Sequence, residues 1–215
     1  MILDPRRSMR VHDHPFRHVV YENFALIPES DVAHLVQTFP SGLLSARRSR
    51  PGGDKSYAVR TATLYDMQGP SPHLSELPQC WRDLVAAVVD PAYGDAMASI
   101  LGLETPSSGW EVRLSEYTSG AGMSRHTDRA HKLFSQNIYL CPEWQTAWGG
   151  GLALYDGPDT PEPAVHFLPG PGVSVAFARS DDSWHEVLPV SGSCPLPRRA
   201  LLVHGYRDQE GHSVC

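Results

Sequence analysis

The sequence predicts an α+β fold whose core is a jelly roll of two packed β-sheets. From Trp110 onwards, short runs of β-branched and aromatic residues are separated by Gly, Pro, Asp and Ser, which is typical of an antiparallel β protein. Before Trp110, the apolar residues recur mainly at helical spacing. No linker separates the two regions. We therefore expect one domain over residues 1–215, with the jelly-roll core over residues 110–207 and N-terminal helices packed on one sheet.

The composition limits the class of protein and its partners. The chain has 215 residues, of which 41% are hydrophobic, enough to fill one sizeable core. Its formal net charge of −6 argues against broad binding to nucleic acid or to an anionic membrane. No window approaches the roughly 18 consecutive apolar residues of a membrane span, and residues 1–7 lack the apolar core of a signal peptide. We therefore expect a cytoplasmic protein without a membrane partner, in which nucleic acid is not a favoured ligand.

The cysteines indicate neither a zinc knuckle nor a redox dithiol, because no two of them form a C-x-x-C pair. We expect reduced thiols at Cys80, Cys141, Cys194 and Cys215.

The region before Trp110 predicts a strand followed by three helices. Residues 1–15 are polar without periodicity, so we expect a frayed, flexible N-terminus. Residues 16–24 carry β-branched and aromatic side chains as a strand would, and a helix opens at Pro28. Residues 80–101 hold two further helical patterns, broken at Asp90-Pro91.

The segment over residues 41–60 predicts an exposed, mobile loop. It combines Pro51-Gly52-Gly53 with the basic residues Arg47, Arg48, Arg50 and Lys55. Positive charge concentrated in an acidic protein suggests a lid whose basic side chains meet a substrate carboxylate. A loop that is merely kept soluble by its charges is an equal alternative.

The region after Trp110 predicts eight short strands, the number expected of a double-sheet jelly roll. They cover residues 110–117, 123–128, 134–140, 151–155, 164–167, 173–177, 184–190 and 199–206.

Two of these strands carry candidate metal ligands. Side chains at positions i and i+2 of a strand point to the same face, so His126 and Asp128 can bind one ion together. A third ligand must come from elsewhere, and the strand-like run after Ser183 offers His185. Two imidazoles and one carboxylate on one side of an ion form the facial triad of non-haem Fe(II) oxygenases, which leaves positions open for cosubstrate and O₂.

Four ordered blocks of the chain resemble the prolyl-4-hydroxylase-like branch of the 2-oxoglutarate- and Fe(II)-dependent dioxygenases. Residues 15–24 resemble that family's opening strand. Tyr117 to Asp128 resembles its Y-x-x-G…H-x-D stretch, and residues 138–155 resemble its Y-L-N…W…G-G-x-L-x-L-Y run. His185 to Val190, followed by Arg198 to Leu201, resembles its H-x-V-x-x-V…R-x-S/A-L ending. The resemblance implies a double-stranded β-helix, the cupin-like jelly roll, and a metal site formed by His126, Asp128 and His185.

The resemblance also implies a carboxylate anchor for 2-oxoglutarate on the last strand. Matching R-x-S/A-L places Arg198 at this position, with Arg199 on the opposite face by strand alternation. The enlarged turn between residues 191 and 197 keeps Arg199 as the alternative. Tyr139 falls where the family supplies a hydroxyl to the same carboxylate. His204 stands where relatives have an aromatic residue, and it either packs as one or supports a metal ligand.

The implied activity is hydroxylation of an unactivated C–H bond in an amino-acid-like, peptidyl or natural-product substrate. The implied cofactors are Fe(II) and 2-oxoglutarate, with ascorbate as an auxiliary reductant, and the products include succinate and CO₂. Asp128 favours hydroxylation over halogenation, because the halogenating branch carries Gly or Ala there. The sequence leaves the substrate and the oligomeric state open.

Three other interpretations remain at this stage. An alkylation-repair dioxygenase shares the iron site but carries a second Arg six residues after the first, where this chain has His204. A non-enzymatic, cupin-like binding protein does not need the triad together with an Arg. A zinc hydrolase can use two His and one carboxylate, but no general base is evident.

Overall fold

The computed structural model describes residues 3–49 and 55–207. In the described part of the N-terminal half there are three α-helices: α1 (Glu29–Gln37), α2 (Gln79–Val88) and α3 (Pro91–Leu101). Thirteen strands run through the described residues: β1 (Met9–His12), β2 (His18–Tyr21), β3 (Ser45–Arg48), β4 (Ala58–Asp66), β5 (Gly69–Pro70), β6 (Gly109–Tyr117), β7 (Met123–His126), β8 (Lys132–Tyr139), β9 (Leu152–Tyr155), β10 (Val165–Phe167), β11 (Ser174–Ala178), β12 (Trp184–Val187) and β13 (Arg198–Tyr206).

The strands form two antiparallel sheets. The major sheet has nine strands in the order β1-β2-β11-β8-β13-β6-β4-β3, with β5 paired to β4. The minor sheet has the order β10-β9-β12-β7. The eight strands from β6 to β13 contribute four to each sheet, which is the double-stranded β-helix predicted from the sequence.

The helices follow the local signals of the sequence. Pro28 immediately precedes α1, and Pro78 immediately precedes α2. Both have an extended backbone conformation, which fits a residue just outside a helix. The first turn of α3 has Pro91, and Asp90 caps it by accepting a hydrogen bond from the Ala92 amide. Gly102 ends α3 in the left-handed conformation at φ 68°. The helix boundaries are therefore encoded locally.

The largest hydrophobic core lies between the helices and one face of the major sheet. It includes Trp81 and Leu84 of α2, Met97 of α3, and Leu201 and Val203 of β13. A smaller cluster lies on the other face, between the two sheets, where Tyr139, Leu154, Phe177 and Ala200 pack together. Successive residues of β13 thus enter different cores, as strand alternation requires.

Two sequence predictions about irregular segments are wrong. Within the N-terminal segment expected to be frayed, Met9–His12 forms β1 and pairs with β2. Within the segment expected to be a loop, Ser45–Arg48 forms β3, and β4 begins at Ala58. Arg50 and Pro51-Gly52-Gly53 of the proposed lid lie outside the described residues, as do residues 1, 2 and Cys215. The eight predicted jelly-roll strands and three helices are confirmed.

In the described part of the chain, no single helix is long and apolar enough to cross a membrane. Taken together, α2 and α3 meet that test by length and composition, but they are bent by 54° at their junction.

We predict that Gly205→Ala destabilises the fold and that Gly42→Ala does not. A Cβ at Gly205 would overlap the Ser107 hydroxyl and the ring of Phe134, which is fully buried and has no room to move. A Cβ at Gly42 would meet no atom within 4 Å. Overpacking of this kind lowers the free energy of unfolding by about 1–3 kcal/mol. Urea denaturation followed by circular dichroism measures it, and equal midpoints for the two variants would contradict the packing described here.

Candidate active site

Three buried side chains meet at the edge of the space between the two sheets. His126 ends β7, Asp128 follows two residues later, and His185 on β12 is the cross-strand partner of His126. One ligand atom from each side chain lies within 4.8 Å of the others. The cluster therefore has the separations of side chains that share one ion.

Backbone carbonyls fix the two imidazoles in the form that binds metals. The Nδ1 atom of His126 lies 2.8 Å from the Ser124 carbonyl oxygen, and that of His185 lies 2.9 Å from the Ser183 oxygen. Because a carbonyl oxygen only accepts, each Nδ1 carries the hydrogen and donates it. Each Nε2 then keeps a free lone pair for a metal.

Asp128 is held by two donors. Lys132 Nζ lies 2.8 Å from Oδ1, and the Ser135 hydroxyl donates to Oδ2 over 2.6 Å. Since the Ser135 hydrogen is used in this way, His204 Nδ1, 2.8 Å away, must donate to the Ser135 oxygen. His204 Nε2 then faces Lys132 Nζ at 3.5 Å. His204 is thus connected through Ser135 to the candidate ligand Asp128, the contact that the second of its two expected roles requires.

The electrostatic setting keeps all three candidate ligands in their metal-binding forms. Burial, then the neighbouring His185 and Lys55, lower the pKa of His126 to about 3. Burial also lowers the pKa of His185, although Asp128 opposes this. Burial would raise the pKa of Asp128, but Lys132 and the nearby imidazoles hold it well below its usual range. Neutral imidazoles and an ionised carboxylate are what a divalent cation requires.

The donor set fits Fe(II). Two nitrogens and one carboxylate oxygen on one side of an ion are the facial triad of non-haem iron sites, with positions open on the other side. Next to the cluster lies a cavity of about 130 Å³, here called the inner cavity. Its walls include Tyr117, Asn137, Leu152, Phe177 and Leu202. The inner cavity provides the space that further ligands of the ion would need.

Arg198 is a fully buried cation whose charge is not balanced within the described chain. Its Nε donates to the Gly150 carbonyl over 2.7 Å, and its Nη2 lies 3.5 Å from the Tyr139 hydroxyl. Its Nη1 is buried without a hydrogen-bond partner among residues 3–49 and 55–207. Arg198 does not itself line the inner cavity, but its guanidinium lies 5.2 Å from the ring centre of Tyr117, which does.

A carboxylate fits this unbalanced cation. A buried charge is costly unless it is paired, and a planar guanidinium pairs well with a carboxylate. Burial raises the pKa of Tyr139 although Arg198 opposes this, so its hydroxyl keeps its hydrogen. Because that oxygen accepts from Arg198, its own hydrogen remains to be donated. The arrangement of Arg198 and Tyr139 fits one carboxylate group of 2-oxoglutarate.

Arg199 lies on the opposite face of β13, and its charge is balanced by an ion pair with Glu116. Its Nε donates to Glu116 Oε2 over 3.0 Å, and its Nη2 donates to the Ser41 hydroxyl over 2.9 Å. Glu116 also accepts from Arg60 and is almost fully buried. Arg199 therefore ties the segment around Ser41 to the major sheet, and the geometry favours Arg198 as the carboxylate anchor.

The structure adds site residues that the sequence reasoning missed. Ser135 and Asn137 line the inner cavity from β8, and Arg113 does so from β6. Ser135, Asn137 and Tyr139 alternate along β8, so their period of two was a signal available in the sequence. Arg113 and Lys132 had no such signal, because their positions depend on cross-strand pairing with Leu202 and Tyr206.

A family model matches the part of the chain that contains this site. Residues 112–204 match the model of the 2OG-Fe(II) oxygenase superfamily, and this stretch contains the three candidate metal ligands, Tyr139 and Arg198. No curated protein matches the chain.

Several solved structures share the fold. A prolyl-4-hydroxylase from Pseudomonas putida is 20% identical, with 94% of each chain covered and a TM-score of 0.61. A 2OG-Fe(II) oxygenase family oxidoreductase from Burkholderia pseudomallei is 16% identical over 89% of this chain and 85% of that one, with a TM-score of 0.63. A Trichoplax adhaerens prolyl hydroxylase, in complex with a peptide of the hypoxia inducible factor oxygen degradation domain, is 20% identical, over 88% of this chain and 83% of that one, with a TM-score of 0.62. At these identities the likeness establishes the fold alone.

We predict that His126→Ala, Asp128→Ala and His185→Ala each abolish binding of a single Fe(II), because each removes one of the three donors. Anaerobic isothermal titration calorimetry measures the stoichiometry. His73→Ala, which changes an exposed imidazole far from the site in sequence, is the control and should bind as the wild type does. Full binding by any of the three triad variants would remove that residue from the site.

We predict that Arg198→Ala weakens 2-oxoglutarate binding roughly 10- to 100-fold, because a lost charge-assisted hydrogen bond costs about 1.5–3 kcal/mol. The affinity of Arg198→Lys for 2-oxoglutarate should lie between those of the wild type and Arg198→Ala, because lysine keeps the charge but cannot form two parallel hydrogen bonds to a carboxylate. Arg199→Ala should bind nearly as the wild type does. Calorimetric titration of the Mn(II)-loaded proteins measures the three values. The reverse order of Arg198→Ala and Arg199→Ala would make Arg199 the anchor.

Proposed function

We propose that this chain is a 2OG-Fe(II) oxygenase, the superfamily whose model matches residues 112–204, and that it hydroxylates an unactivated C–H bond of an amino-acid-like or peptidyl substrate. The observation that carries the proposal is the combination of a ligand-ready His-Asp-His cluster with a buried, unbalanced Arg198 in the same inter-sheet space. A His-Asp-His cluster by itself also suits Zn(II), and a buried arginine by itself also occurs as a purely structural group. Together they fit a metal and a carboxylate-bearing cosubstrate bound side by side.

The chemistry requires Fe(II), 2-oxoglutarate and O₂, which together convert the substrate C–H to C–OH while 2-oxoglutarate gives succinate and CO₂. The residues of this chain would hold and orient these groups. His126 and His185 present their Nε2 atoms, and the carbonyls of Ser124 and Ser183 prevent the rings from turning. Lys132 and Ser135 hold the Asp128 carboxylate in position, so little reorganisation accompanies binding.

The cosubstrate would be oriented by residues at and near the N-terminal end of β13. Arg198 would pair with its distal carboxylate, and Tyr139 would donate its hydroxyl hydrogen to the same group. Apolar walls of the inner cavity, among them Leu152, Phe177 and Leu202, would exclude water from the reacting atoms. Asp128 in the triad supports hydroxylation, since a small residue there would be needed to make room for a halide.

A peptide or amino-acid derivative is the proposed substrate class. The Trichoplax adhaerens prolyl hydroxylase of similar fold is seen with a peptide fragment, which supports this class without selecting a sequence. Position 204 does not support an alkylation-repair activity, since His204 is engaged with Ser135 instead of offering a guanidinium. Ascorbate is included in the assay as the proposed auxiliary reductant.

We predict that the purified chain, given Fe(II), ascorbate, 2-oxoglutarate and a panel of amino acids and short peptides, forms succinate at a rate that at least one panel member stimulates. Mass spectrometry in isotopically labelled O₂ should find one labelled oxygen atom in the stimulating compound. Asp128→Ala, incubated identically, is the negative control. Succinate formation without any labelled product across the panel would contradict the proposed substrate class, and no succinate at all would contradict the oxygenase function.

A further inference from the structure

A second cavity adjoins the inner cavity on its outer side. This outer cavity has a volume of about 250 Å³. The two cavities share walls formed by Lys55, Arg113, Lys132, Asp128 and His204, together with Tyr117, Met123 and Leu202. Because Asp128 lines both cavities, a molecule bound in the outer cavity lies next to the His-Asp-His triad.

The outer cavity carries an excess of positive charge, although the chain as a whole has a formal net charge of −6. Its basic residues are Arg47, Lys55, Arg113, Arg129 and Lys132, and its acidic residues are Glu111 and Asp128. Both carboxylates are engaged, Glu111 with Arg113 and the Tyr206 hydroxyl, Asp128 with Lys132 and Ser135. A concave site lined by one sign of charge concentrates ligands of the opposite sign.

Arg47 supplies charge to the cavity that no described acidic group neutralises. It lies on β3 opposite Val59, which also lines the outer cavity. Its guanidinium makes no ion pair or hydrogen bond with a residue in the two described ranges. Arg48, the next residue, points to the other face of the strand and does not line the cavity.

The remaining walls are aromatic and apolar. His131 stacks on Tyr206 with 5.3 Å between ring centres and 17° between planes, and Tyr57, Val59 and Leu202 complete this side. The cavity therefore places cationic side chains beside aromatic and apolar ones. A molecule that fills it combines a negative group with an apolar body.

We propose that the outer cavity is the substrate subsite and that it selects a substrate with a free carboxylate, which Arg47 binds. This inference rests on the proposed function and narrows its substrate class to compounds with a free carboxylate, such as amino-acid derivatives or peptides whose terminal carboxylate enters the cavity. With its carboxylate at Arg47, the rest of the substrate would extend along the shared wall towards the His-Asp-His triad. The positive charge of Arg129 would add to the attraction.

The test compares paired probes that differ only in the carboxylate. The N-acetyl amino acids and their C-terminal amides are titrated against the full chain containing 2-oxoglutarate and Zn(II) in place of Fe(II), with ligand-observed NMR as the readout. At least one acid should bind about tenfold more tightly than its amide, the scale of one charge-assisted hydrogen bond. That preference should shrink as salt is added. Acids and amides that bind alike would overturn the proposal.

A charge-matched pair of variants locates the site. Arg47→Glu should remove the preference for acids, whereas Arg48→Glu, with the same change in net charge on the neighbouring residue, should keep it. Equal losses in the two variants would overturn the assignment to Arg47. N-acetyl-phosphoserine amide is a third probe, and its binding in preference to every acid would assign the cavity to phosphate instead. A preference for acids in a chain that forms no succinate would leave the anion subsite intact and reject the proposed oxygenase function.

Discussion

The two-residue alternation of β13 is the constraint that organises this molecule. Its central residues, Leu201 and Val203, are committed to the helix-facing core, so the residues between them must enter the space between the sheets. Arg198 and His204 are thereby placed on the side of the sheet that faces the candidate metal ligands, while Arg199 lies on the opposite face. A slip of one residue in the pairing of β13 with β6 and β8 would bury Arg199 between the sheets and turn Leu201 away from the helices. The hydrophobic core therefore determines which arginine is available to a cosubstrate.

The same space concentrates polar groups that the fold leaves incomplete. Asp128 is paired with Lys132 and Ser135. The Nε2 atoms of His126 and His185 have no hydrogen-bond donor as a partner in the described part of the chain. Nη1 of Arg198 is buried and finds no acceptor among the described residues. Nearly all other buried side-chain polar atoms of the described residues have a hydrogen-bond partner. The imidazoles therefore suit a bound cation, and the Arg198 guanidinium suits a bound anion. Fe(II) and 2-oxoglutarate together supply both charges.

Much of this arrangement could be predicted from the sequence, because it depends on local patterns. Strand alternation on β13 separates Arg198 from Arg199 before any tertiary contact is known, and the two-residue spacing predicted that His126 and Asp128 meet, although β7 itself ends at His126. Helix boundaries at Pro28 and Asp90 are likewise set by backbone chemistry. The edge strand β3 could not be found in this way, because all four of its residues are exposed and it shows no apolar alternation. Residues brought together by cross-strand register, such as Arg113 with Lys132, carry no local signal at all.

We expect a metal at the His-Asp-His triad and a carboxylate at Arg198 to be bound together, as iron and its 2-oxo acid ligand. Anaerobic titration of the Fe(II)-loaded chain with 2-oxoglutarate, followed by visible absorption, tests this directly, since chelation of the iron by the 2-oxo acid produces a charge-transfer band. We expect the band to saturate at one equivalent of 2-oxoglutarate per iron, and to require much higher concentrations in Arg198→Ala. Absence of the band in the wild type, or an identical titration in Arg198→Ala, would contradict the account.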